Sequence, residues 1–286
     1  MKKLNLMIAV LLGLSFPAGS FASTTGDDQD SLGLPGDNLD LYGTLELFKK
    51  SATIEDFEKA LNTESNNINN LDLDGDNKTD YIRVIDNSET EAHAIKLEVA
   101  LSETESQDIA VIEIEKGTGE TANLQIIGDE DLYGKDYIVE PSDSTSGEMH
   151  SSPEGRGPSF ESFIPSRIIL VNVWGWPCVR HVYGPKYIFW VSPWHWGFYP
   201  VWWHPWVPTP WHVYHKHYVH CRAYHRRVYV YNMNHAHKIY HAHRMASPTV
   251  YKKNHPGGHG GAVVKPGPYG NKPGPYGKNG PSCKNF

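Results

Sequence analysis

Ile95-Lys96-Leu97-Glu98-Val99-Ala100-Leu101 alternates with a period of two, and that alternation decides the fold. Successive side chains of an extended strand point to opposite faces, so Ile95, Leu97, Val99 and Leu101 share one face and Lys96, Glu98 and Ala100 the other. Ala110, Ile112 and Ile114 alternate in the same way with Val111, Glu113 and Glu115, and Leu124 and Ile126 repeat the pattern. Tyr81 to Ile85 is a short β-branched run of the same kind. Together these runs predict an antiparallel β-meander with one dry face and one wet face.

Upstream the period changes to that of a helix. Asp37 and Asn38 are residues that cap a helix, and Leu41, Leu45 and Phe48 then fall on one face. Thr53 is a second start signal, followed by Ile54, Phe57 and Leu61 at helical spacing and by Asn62 as a stop. Two N-terminal helices packed on the dry face of the meander make an α+β domain over residues 37–140, preceded by a flexible stretch over 23–36.

Downstream, 141–161 is rich in Pro, Ser and Gly and reads as a linker. Residues 162–246 form a basic segment dense in Trp, Tyr and His, beginning with an expected strand over Ile164–Trp176. Pro recurs too often between Trp190 and Trp206 for a continuous helix or a central strand. From His212 to His243 both helix and strand stay open. Residues 247–286 contain a twice-repeated Lys-Pro-Gly-Pro-Tyr-Gly unit, at Lys265 and Lys272, and read as a disordered tail.

Charge divides the chain more sharply than the formal net of -7 suggests. All 33 acidic residues lie at or before Glu161, whereas the stretch from Ser162 onward holds 14 of the 16 His, all nine Trp and no acid. The two halves are electrostatically opposite, so the basic half would meet either the acidic half or an anionic lipid or polysaccharide of the cell envelope. Lys2 and Lys3, the apolar run Leu4–Phe16 and the small residues Ser20 and Ala22 read as a secretory signal peptide over 1–22. Export to the periplasm, the outer membrane or the medium is expected, with no transmembrane helix after cleavage and no nucleic acid to meet. In an oxidising compartment Cys178, Cys221 and Cys283 allow one disulfide in any of three pairings.

Asp72-Leu73-Asp74-Gly75-Asp76-Asn77-Lys78-Thr79-Asp80 brings four carboxylates into nine residues. Calcium takes six to eight oxygen ligands, and a sharply curved backbone is what gathers them. Gly75 and Asn77 are types that accept a positive φ, while Leu73 can turn into the core. A twelve-residue EF-hand frame fails in both registers, since its last position falls on Arg83 or Tyr81 rather than Glu. The stretch instead resembles the DxDGDxxxD calcium loops of FG-GAP-type (integrin-like) repeats and EF-hand-like exported modules, with Asn77 where those families usually have Gly. The resemblance implies calcium held by Asp72, Asp74, Asp76 and Asp80, with the backbone carbonyl of Lys78. Gly33–Asp40, the calcium loop, Asp129–Gly134 and the Trp-Pro-rich segment also resemble a group of exported Gram-negative bacterial proteins, and that likeness implies no activity.

A second metal set is His215 and His217, His235 and His237, His241 and His243, three His-x-His units suited to Zn, Cu or Ni. The basic half has no carboxylate of its own to orient those rings. Gly-x-Ser-x-Gly, His-Glu-x-x-His and Gly-rich phosphate loops are all missing from the sequence, so no enzymatic motif appears. The expectation is a non-enzymatic exported protein with a structural calcium loop and a cationic aromatic region for the cell envelope or a partner. The competing expectation is a periplasmic transition-metal binder.

Overall fold

The structure is a computed structural model; it describes residues 31–89, 91–142, 170–217, 222 and 224–255. The signal-peptide reading, most of the 141–161 linker, Cys221, Cys283 and the repeated tail units lie outside the described residues.

Asp40 starts the first helix, α1 (Leu41–Lys50), its carboxylate accepting from the backbone N–H of Tyr42 and Gly43. This corrects the expected cap at Asp37 and Asn38. Pro35 and Gly36 draw those residues into a short 3-10 turn, Pro35–Asn38, and Asp37 instead accepts from Leu32 and Gly33 N–H. Residues 32–36 of the stretch read as flexible are thus held in place. Thr53 caps α2 (Ile54–Leu61) through Asp56 N–H, and Asn62 ends it, as the spacing predicts. Phe48 and Phe57 meet edge to face at 5.1 Å and lock the two helices together.

Six strands follow in a single antiparallel sheet ordered as in the sequence. They are β1 (Ile82–Glu89), β2 (Ala92–Ala100), β3 (Ser106–Lys116), β4 (Ala122–Gly128), β5 (Ile138–Pro141) and β6 (His225–Val228), with a short helix, α3 (Glu130–Tyr133), between β4 and β5. The α+β fold class read from the sequence is what the structure shows. The dry face is the expected one: Ile95, Leu97, Val99, Ile112, Ile114, Leu124 and Ile126 pack with Leu45, Phe48, Phe57 and Leu61 in one core. Cys178 and Val179 of α4 (Pro177–Val182) join it, so Cys178 is a buried free thiol.

The other face is not wet. Lys96, Glu98, Asp108, Glu113, Gln125, Asp129 and Glu140 are all buried. The basic half covers them: β6 extends the sheet beside β5, and α6 (Asn234–His243) lies across β1, β2 and β3. Met233, Ala236, Ile239 and Tyr240 fill a second core against Ala92, Ala94, Val111, Ile127 and Ile138. Alternation places polar residues on this face, but only the chain beyond residue 170 decides that it faces protein rather than water.

That covering is electrostatic as well as apolar. Arg244 donates to Asp129 (2.6 and 3.0 Å) and Asp131 (2.9 Å), and Arg226 to Glu140 (3.3 Å). Part of the opposite charge of the two halves is therefore satisfied across the interface between them. No strand of the ladder forms over 170–176, the described part of the run expected at Ile164–Trp176; Val173 N–H donates to the Ala122 carbonyl, and Asn172 accepts from Ala122 N–H and donates to the Glu120 carbonyl. Past residue 247, where the tail reading begins, Ser247 caps α7 (Pro248–Asn254) through Val250 N–H, and Val250 is buried. The Ser-Pro pair and one apolar anchor suffice for a helix there.

Candidate metal centres and an exposed aromatic face

The acidic loop sits between α2 and β1, and its curvature comes from the two residues the sequence points to: Gly75 has φ +84° and Asn77 has φ +63°. Leu73 turns into the core at 5% exposure, and Asp80 N–H closes the loop on the Leu71 carbonyl at 2.8 Å. Each aspartate first serves its own backbone. Asp72 accepts from Gly75 N–H (2.7 Å) and Asn77 N–H (3.0 Å), Asp74 from Asp76 N–H (3.0 Å), and Asp76 from Lys78 N–H (2.8 Å).

Asp72, Asp74 and Asp76 each offer a carboxylate oxygen within 4.8 Å of the others, the only such group of three metal-ligating side chains among the described residues. Asp80 stands apart from that trio, accepting from Leu73 N–H at 2.6 Å. Burial, followed by the like charges of Asp74, Asp72 and Asp76, pushes its carboxyl up to about 7. Lys78 is exposed, and its ammonium lies 3.3 Å from Asp76. Hard oxygens in a tight turn fit calcium chemically, and the repulsion that Asp74, Asp72 and Asp76 exert on Asp80 is what a divalent cation would relieve, although the Lys78 and Lys253 ammonium groups already lie against the loop.

The His217 side chain lies outside what is described, and among the other five histidines of the set no three converge. His215 and His217 make up a 3-10 turn that follows α5 (Trp211–Tyr214), with His215 buried and stacked on Trp211 at 4.7 Å. His235, His237, His241 and His243 lie on α6. His235 Nε2 meets Glu89 at 2.7 Å, and the His243 carbonyl accepts from Lys96. His237 Nδ1 lies 2.7 Å from Glu113, while His241 Nε2 lies 2.9 Å from His237 Nε2. The carboxylates missing from the basic half are thus supplied by β1 and β3 across more than a hundred residues of chain. The acids at alternate positions 113 and 115, facing a segment with no acid of its own, were the available signal.

Glu58 escaped the sequence reading because it sits on an ordinary-looking helix. It is 2% exposed and accepts four bonds: from Tyr81 Oη (2.9 Å), Ser192 Oγ (2.7 Å), Val84 N–H (3.1 Å) and Trp190 Nε1 (2.9 Å). It ties the start of the Trp-rich segment to β1. Replacing Glu58 by Gln is expected to lower unfolding free energy by about 1–3 kcal/mol, because two donors then face an amide N–H₂; urea unfolding measures it, and an unchanged midpoint would argue against the anchor.

The Trp-rich segment runs over the surface in turns and two isolated bridges, Ile85 with Val191 and His195 with Phe198. Every exposed large hydrophobic side chain among the described residues lies between Ile188 and Val230. Ile188 is 74%, Val201 86% and Val207 66% exposed, with Phe189, Val191, Trp196, Phe198 and Trp202 around them. No helix among the described residues is long and apolar enough to cross a membrane. Compared with protein-family models, curated proteins and solved structures, the chain finds no match, so the site is read from its own residues.

Proposed function

We propose that this is a non-enzymatic exported protein that rests on the interface of a lipid bilayer through its 188–213 segment, with the Asp72–Asp80 loop as a structural calcium clip. The observation that carries the reading is the segregation of exposed large apolar residues: none among the described residues from 31 to 142, eight between Ile188 and Val207. Aliphatic tips decide between lipid and polysaccharide. Sugars stack on Trp and Tyr faces but gain little from Ile188, Val191, Val201 and Val207, whereas an acyl boundary takes both, with aromatic rings at headgroup level.

Charge contributes less than composition suggests, because Arg226 and Arg244 are already committed to Glu140, Asp129 and Asp131. Binding driven by apolar burial, at about 1.5–3 kcal/mol for each fully buried side chain, should therefore weaken little with salt.

Sedimentation of the chain with phosphatidylcholine vesicles, with and without phosphatidylglycerol, tests this. Val201→Asp and Val207→Asp together should reduce partitioning at least about tenfold, since each removes more than the 1.4 kcal/mol that corresponds to a factor of ten. Equal partitioning of variant and parent chains would refute the reading.

A further inference from the structure

His237 and His241 lie one turn apart on α6, and their Nε2 atoms point at each other across 2.9 Å. We propose that this pair is a bidentate site for a tetragonal divalent transition ion, Cu(II) or Ni(II), with Glu113 as the residue that orients it. The inference is independent of the bilayer reading, since neither histidine belongs to the exposed aromatic segment.

Glu113 makes the pair a built site rather than two surface imidazoles. Its side chain is fully buried, one oxygen lies 2.7 Å from His237 Nδ1, and the other has no hydrogen-bond partner. Burial raises the Glu113 carboxyl, and the bond to His237 opposes that rise. With Nδ1–H donated to this carboxylate, the His237 ring is fixed in one tautomer and Nε2 is left as a lone pair directed at His241. Tyr231 packs against the His237 ring at 4.4 Å between centroids, which holds its plane.

The spacing selects the class of ion. Two nitrogens about 2.0 Å from a metal lie roughly 2.8 Å apart at a right angle but about 3.3 Å apart at a tetrahedral angle. The observed 2.9 Å fits adjacent corners of a square-planar or tetragonal shell. Arg244 is held by Asp129 and Asp131, while Glu130 adds negative charge beside His241. On binding, the ion takes the place of the hydrogen shared between the two Nε2 atoms, His241 passes to its Nδ1–H tautomer by proton exchange with solvent so that both rings stay neutral, and water fills the remaining positions.

His215, His235 and His243 do not complete it. His235 is turned to Glu89, and His215 is stacked on Trp211. His243 joins no group of three ligating side chains among the described residues.

The chain has 16 His, so total copper uptake is a poor readout. The test is a Cu(II) titration of the full chain against a competing amino-acid chelator, read by electron paramagnetic resonance, on the parent chain, His241→Ala, Glu113→Gln and the surface control His204→Ala. The parent chain and the control should share a tightest equivalent with the signature of two nitrogen ligands, and His241→Ala should lose it. Glu113→Gln should keep the stoichiometry and bind about 10–100-fold more weakly. His241 is exposed, so His241→Ala keeps the test valid if Glu113→Gln fails to fold. An unchanged tightest site in His241→Ala would place the ion on other histidines and overturn the proposal. Equal affinity in a folded Glu113→Gln would overturn the role of Glu113.

Discussion

Replacing Lys96 by Met is expected to lower unfolding free energy by about 3–5 kcal/mol at pH 8, the cost of leaving a buried carboxylate without its cation. Lys96 is 3% exposed and its Nζ lies 2.9 and 3.2 Å from the two oxygens of Asp108, 2.9 Å from the His243 carbonyl and 3.4 Å from Glu98. Burial draws Lys96 down, but Asp108 and Glu98 more than reverse it. Burial draws Asp108 up while Lys96 pulls it back. Those two tendencies disagree about whether the pair is charged. The geometry favours an ion pair, because Nζ donates to both Asp108 oxygens and to a backbone carbonyl.

Without Lys96 the Asp108 carboxyl is raised by burial first and then by Glu98, with the bond from Met245 N–H left to oppose them. A carboxyl raised in the folded state holds its proton there at pH values where the unfolded chain has lost it. Its favourable contribution is complete below the ordinary carboxylate range and disappears as pH rises through the raised value. Lys96→Met should accordingly recover most of its loss between pH 8 and pH 5, and Lys96→Met with Asp108→Asn should recover it at pH 8. Guanidinium unfolding at the two pH values measures both. A loss below about 1 kcal/mol that does not change with pH would mean that the second face of the sheet is wet after all.

That face marks where the sequence stops being legible. Period-two alternation identifies β2, β3 and β4 because each strand's dry residues are its own property. Whether Lys96, Glu113 and Gln125 look at water or at protein depends on partners more than a hundred residues away, such as His243, His237 and Val230. Local chemistry reads well: Thr53 and Asn62 bound α2, and Gly75 and Asn77 curve the loop, because capping and positive φ are decided within a few residues. Asp37 and Asn38, equally good caps three and two residues before Asp40, compete with it in the sequence, and the turn that Pro35 makes of them leaves the cap to Asp40. The charge division was legible as a quantity, though it left open which of several partners would answer it. Glu113 and Glu115 answer part of it from β3, where Glu115 also accepts from the first N–H groups of α6.

Calcium at about a thousandfold excess over its dissociation constant is expected to raise unfolding free energy by about 4 kcal/mol, since a ligand held only by the folded chain stabilises it by mass action. Asp74 gives the cleanest variant. Asp72 holds two backbone N–H groups of the turn, whereas Asp74 accepts only from Asp76 and is exposed. Asp74→Asn should leave the calcium-free protein as stable as its parent or more so, because Asp74 is one of the like charges that raise Asp80. The same change should remove most of the calcium increment. Magnesium, which demands near-ideal octahedral geometry and dehydrates reluctantly, should stabilise far less. The effect should also be local. Thr79 N–H donates to the Trp206 carbonyl at 2.8 Å, so the loop is one of the points where the Trp-rich segment is fastened to the sheet domain. Calcium should therefore slow hydrogen exchange at the Thr79 and Asp80 amides more than in β3. A uniform slowing across the sheet, or none in the loop, would show that the ion acts elsewhere and that Asp72, Asp74 and Asp76 form only an acidic turn.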